Sequence, residues 1–177
     1  YRIRVVHSGA ARLQALAVFS GSAPPSAPAT VSEPLGRAID LDVPAFAQMS
    51  HRDHFPEYDG GGASWCSPAS LAMVLAYWGA GPSAADLAWV GEGHDDPQVD
   101  HAARHTYDAA YGGCGNWSFG AAYAAGFGLD AVVTRLGSLR EGEELLQAGV
   151  PVIASIAAGA GELPGFLHVA IGQEATA

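Results

Sequence analysis

Trp65-Cys-Ser-Pro-Ala-Ser-Leu-Ala-Met-Val-Leu-Ala-Tyr-Trp-Gly79 is the stretch that decides the fold. Leu71 to Trp78 is apolar at every position. A helix apolar all round has to be covered all round, so this one is expected at the buried centre of a domain. Ser67 suits a cap, Pro68 the first helical position and Gly79 the residue past the end. The run is well short of the ~20 residues that a membrane span needs, and no transmembrane segment is expected.

Working outward, Asp40 to Ala47 (DLDVPAFA) reads as an extended entry. His51 to Ala63 reads as a polar loop without regular structure, because Asp59-Gly60-Gly61-Gly62 lies within it. Downstream, Ser83 and Asp86 have capping-box spacing and open a short helix through Val90. Further helices are expected over 97–111, stopped by Gly112-Gly113, and over 118–125, stopped by Gly126. Leu129 to Arg135 is β-branched and short and reads as a strand. Ser138 and Glu141 make a second capping box, with a helix to Ala148 stopped by Gly149. Val150 to Ile156 and Phe166 to Ile171 then read as buried strands around a Gly-rich turn, 157–165. Helices first and strands last indicate the α+β class, with a central buried helix in the N-terminal half and an antiparallel β-sheet in the C-terminal half.

The chain has 177 residues, about one domain's length. Residues 1–19 alternate like two short strands and are expected to be the remnant of a preceding β-rich region. Residues 20–37, rich in Pro, Ser and Ala, read as a linker, and 38–177 as the main domain. Hydrophobic residues make up 49% and charged residues 15%, ample for a core and too little charge for a disordered chain. Eight Arg and no Lys face eighteen acidic residues, a net charge of −10, which argues against a nucleic-acid partner.

The chemistry is expected at three positions. Cys66 stands just ahead of the buried helix, where the helix dipole and unpaired N–H groups favour a thiolate and lower the thiol from its usual value of about 8.5. Its rival reading is a small buried hydrophobe. Gln48 precedes the Gly-rich loop, and its side-chain N–H is suited to an oxyanion beside the N–H of Cys66. His168 lies within the apolar run FLHVAI, as a base or as a core histidine. Gln, then Cys at a helix start, then His on a late strand is an order suited to cysteine acyl transfer.

Other groups carry less. His101 and His105 are spaced i, i+4 like zinc ligands, but no Glu follows His101 as a zincin requires. His94-Asp95-Asp96 lacks the spaced acidic pattern of a calcium loop. Cys114 is a second thiol or a disulfide partner of Cys66. Trp78, Trp89 and Trp117 are expected to pack rather than to stack on a carbohydrate. No cofactor and no metal is expected.

The runs DLDVPAFAQ, WCSPASLAMVLAYWG, VDHAARHTYDAAY, GNW and AGVPVIASI closely resemble secreted bacterial members of cysteine peptidase family 39 over roughly residues 38 to 172. These are relatives of the domains that cleave double-glycine leaders from bacteriocins. The resemblance implies a papain-like fold, a peptide or protein substrate and an extracellular or cell-envelope location. It makes Cys66 the nucleophile, Gln48 the oxyanion donor and the late-strand His the general base. Two departures accompany it. The family's His follows the Gly that opens the late strand, a place held here by Phe166, with His168 on the same strand face about 6.5 Å along. The family's orienting Asp or Asn has no counterpart beyond the strand, where only Gln173 and Glu174 stand, so the domain is expected to be truncated at its C-terminus. Three readings stay open: a thioester-forming cysteine peptidase of weakened activity, an inactive peptide-binding or cell-surface module, and a cysteine amidase or acyl transferase acting on cell-wall peptides.

Overall fold

A computed structural model describes residues 32–134, 136–156 and 171–173. The expected N-terminal strands, most of the linker, the Gly-rich turn and the greater part of the Phe166 strand lie outside the described residues. At the centre is α1, Cys66–Tyr77. Trp65 takes the cap position without a side-chain cap hydrogen bond. The helix therefore begins two residues earlier than expected, and Ser67 is inside it. Pro68 falls at the third helical position, where its missing N–H costs nothing because the first four N–H groups of a helix have no partner within it.

Gly79 closes α1 with φ +62. Its N–H bonds the Ala76 carbonyl at 2.9 Å, and the Ala80 N–H bonds that of Leu75 at 2.9 Å. Two otherwise orphaned carbonyls are satisfied by a left-handed residue that glycine adopts without a Cβ clash.

The all-apolar surface of α1 is divided between two neighbours, α3 (Pro97–Thr106) and α4 (Trp117–Gly126), both packed on it. One flank buries Trp65, Ala69 and Ala72 with Val99, Ala103 and Cys114, edged by Phe46, Phe55, Tyr58 and Tyr107. The other buries Leu71 and Leu75 with Ala124, beside Tyr123 and Phe127. Trp78 is the exception to the expected burial. It lies past the last helical residue, is 48% exposed, and leans edge-on against Tyr77.

Around this centre the local signals act with some shifts. α2 is Ala84–Leu87, opened by the expected capping box: Ser83 Oγ accepts the Asp86 N–H and the Asp86 carboxylate accepts that of Ser83. It stops before Val90 because the chain tightens, with the Ala88 N–H bonding the Ala85 carbonyl. α3 stops at Thr106, where Tyr107 turns extended and Asp108 bridges Gly113. α4 runs through Gly126, and the Gly128 N–H bonds the Ala125 carbonyl at 3.0 Å. α5 is Leu139–Gln147. Its Ser138 makes no cap bond, and Glu141 instead accepts the Gly137 N–H at 2.9 Å. Glu143 on α5 accepts the Leu35 N–H at 2.9 Å, tying the end of the expected linker to this helix.

The sheet departs most from expectation. Residues 129–134 form no strand, and Val132 is 67% exposed: among the described residues no strand lies beside them, and β propensity there has no ladder to join. β1 (Ala154–Ile156) pairs with β2 (Ile171–Gln173) in parallel, Ala154 opposite Ile171. The antiparallel arrangement expected around a turn is not what these residues form. Residues 157–170 are long enough for the crossover of about a dozen residues that a parallel pair needs.

Candidate functional site

The segment from Gln48 to Cys66, which contains the His51–Ala63 loop expected to lack regular structure, is organised by three short 3-10 turns: Gln48–His51, Pro56–Tyr58 and Gly62–Trp65. The first packs against the third, which leads directly into α1. Gln48 and Cys66 therefore stand on adjoining segments, each half-buried. Trp65, fully buried, fixes this junction: its Nε1–H donates to the Tyr58 carbonyl at 2.7 Å. Cys66 is the first residue of a twelve-residue helix whose cap residue, Trp65, makes no side-chain cap hydrogen bond. The N–H groups of a helix's first turn have no partner within the helix and favour negative charge beside them. His168 and Phe166 lie outside the described residues.

Cys114 is a different kind of thiol. It is buried between α3 and the Pro56–Tyr58 turn, with Sγ 3.5 Å from the Ala103 carbonyl and 3.6 Å from that of Tyr58. Burial first, then the charges of Asp59 and Cys66, push it up to about 12. Cys66 and Cys114 are not joined in a disulfide.

His101 and His105 stack at 4.2 Å between ring centroids instead of converging on a shared point. The His101 Nδ1 hydrogen-bonds the Tyr123 hydroxyl at 2.7 Å. Burial, reinforced by His105, lowers His101 to about 4, and burial with Arg104 lowers His105 as well. These residues line an open depression of about 740 Å³ between α2, α3 and α4, with Arg104 over the Trp89 ring at 4.5 Å. Neither Gln48 nor Cys66 lines it.

A second histidine group went unassigned in the sequence, where His51 and His54 fall in the polar loop and Asp100 is merely a neighbour of His101. The structure folds the loop onto α3. Asp100 Oδ2 lies 3.1 Å from His51 Nδ1, and Oδ1 lies 2.9 Å from His54 Nδ1. His94 Nδ1 stands 3.3 Å from His54 Nε2. His51 and Asp100 are both 0% exposed. The spacing of two His three residues apart was the available signal, but a partner on a distant helix is invisible in sequence.

The family model described as Peptidase_C39 like family matches residues 40–174. No curated protein and no solved structure matches the chain.

Proposed function

The chain belongs to the Peptidase_C39-like family, a peptidase-type family, and from that premise we propose that it cleaves peptide bonds through a thioester on Cys66. The observation that carries this reading is the placement of Cys66, half-buried, as first residue of α1. Cys66 Sγ gives its proton to the His168 imidazole and attacks the carbonyl carbon. The carbonyl electrons move onto oxygen, held by the Gln48 side-chain N–H and the Cys66 backbone N–H. As the C–N bond breaks, the imidazolium returns the proton to the leaving amine. Water, deprotonated by the same imidazole, then releases the acid from the thioester.

The substrate is an extended peptide or protein segment. Among the described residues no helix is long and apolar enough to cross a membrane. A location outside the cell or at its envelope belongs to this proposal and rests on the resemblance to secreted relatives. With Phe166 where the resemblance places the base, turnover is slow. Phe166 also favours a second reading, a peptide-binding module that has lost the chemistry.

The test is an assay against a fluorogenic peptide library beside Cys66→Ser and Gln48→Ala. Slow turnover that Cys66→Ser abolishes, and that Gln48→Ala lowers about 10²- to 10³-fold, is expected. Peptide binding with no Cys66-dependent product, even in Phe166→His, would replace the peptidase with the binding module.

A further inference from the structure

We propose that His51, His54 and Asp100 form a site for a divalent cation of the zinc type, which fastens the segment between Gln48 and Cys66 to α3. Each of the three residues offers a ligand atom, and these atoms all lie within 4.8 Å of one another. Two imidazole nitrogens and one carboxylate oxygen are a donor set that zinc accepts, with water free to complete a tetrahedron. Ligands bonded to zinc at about 2.0 to 2.2 Å stand about 3.3 Å apart at the tetrahedral angle. His51 Nδ1 lies 3.1 Å from Oδ2 of Asp100 and His54 Nδ1 2.9 Å from Oδ1, so whichever carboxylate oxygen binds the ion already stands near that spacing from one imidazole, and the other moves inward by an ångström or so from within the 4.8 Å limit.

The burial of the group calls for such an ion. Asp100 is fully buried, and among the described residues its ion-pair partners are these two imidazoles, with neither Arg nor Lys. A buried carboxylate is costly unless a cation meets it. His51 is buried as completely, and among the described residues its Nε2 has no hydrogen-bond partner, so the polar contact of its ring is spent at Asp100. An apolar side chain would fill that space at less cost if packing were the only demand. Asp53 and Phe55, on either side of His54, hold left-handed φ of 66° and 42°. Backbone strain of this kind persists where the surroundings demand a particular presentation of the side chain between. His94, 3.3 Å from His54 Nε2, supplies the outer partner that orients a metal-bound imidazole.

The site ties two distant stretches of the chain together. His51 ends the turn that Gln48 begins, and Asp100 sits on the helix packed against α1. A bound cation therefore holds the Gln48 turn in place, whatever reaction Cys66 performs.

The experiment strips the full chain with a chelator, then titrates it with Zn²⁺ against a chromophoric competitor, with Co²⁺ as a spectroscopic substitute. One Zn²⁺ per chain is expected, with a raised melting temperature. Co²⁺ should give visible d–d bands of nitrogen and oxygen ligation without a thiolate charge-transfer band. His54→Gln and Asp100→Asn should each weaken Zn²⁺ at least about tenfold. His105→Gln and Cys66→Ser should leave affinity and spectrum unchanged. Failure to bind one equivalent overturns the site. So does unchanged affinity in His54→Gln, a thiolate band, or binding lost in His105→Gln, which would move the ion to the His101 pair. Should His54→Gln or Asp100→Asn fail to fold by circular dichroism, the Co²⁺ spectra of the unsubstituted chain and His105→Gln decide the matter.

Discussion

The backbone of Gly61 passes so close to His51 that a Cβ on Gly61 would overlap the His51 carbonyl oxygen. This contact joins the turn that carries Gln48 to the turn that delivers Cys66. Gly61 has φ +67 and ψ −154, a region that essentially only glycine occupies.

Gly61→Ala should therefore cost more than the ~1 to 3 kcal/mol of backbone strain alone, because the His51 carbonyl must also give way. Gly60, with φ +71 but open space around its Cβ position, is the control. Urea melts of the two variants compare them, and an equal loss in both would show that the approach to His51 carries no weight.

Leu75 is 2% exposed in the second core cluster. Leu75→Ala should lower stability by about 2 to 5 kcal/mol through lost burial and the cavity left behind. Trp78→Ala, at a half-exposed position, should cost much less although it removes more atoms. The urea midpoints give the ranking, and a larger loss at Trp78 would contradict the observed division of the helix surface.

Cys66 should be alkylated by iodoacetamide at pH 7 far faster than Cys114. Cys114 is buried and held up at about 12, so its thiolate is scarce as well as shielded. Peptide mass mapping over a time course reads both rates. Comparable rates would mean that the packing of Cys114 against the Ala103 and Tyr58 carbonyls is transient.

Acid should weaken the fold before most carboxylates titrate. Burial, then His105 and Arg104, hold His101 at about 4 against an ordinary 6.5, with Asp86 opposing them, and His105 is lowered too. The unfolded chain then binds protons in this window that the folded chain refuses. Stability is whole above 6.5 and is lost as pH falls through about 4. Urea midpoints from pH 7 to 4 should fall, and fall less in His101→Gln. A parallel decline in both proteins would assign the effect to other groups.

The central helix was legible because an eight-residue apolar run flanked by Ser, Pro and Gly admits few alternatives, and its glycine stop acts through local hydrogen bonds. The capping box at Ser83 was legible for the same reason, since all its partners lie within one turn. The family was written in sequence too, in the block around Cys66, as the match over residues 40–174 bears out. Non-local pairing was not. β propensity at 129–134 came to nothing with no strand beside it among the described residues, and whether Ala154 would face Ile171 in a parallel or an antiparallel ladder depends on the path between them. The meeting of His51 and His54 with Asp100 was hidden as well. Only folding decides which side chain across the chain shares a buried space, because spacing orders residues along a helix or strand and says nothing of what packs against it.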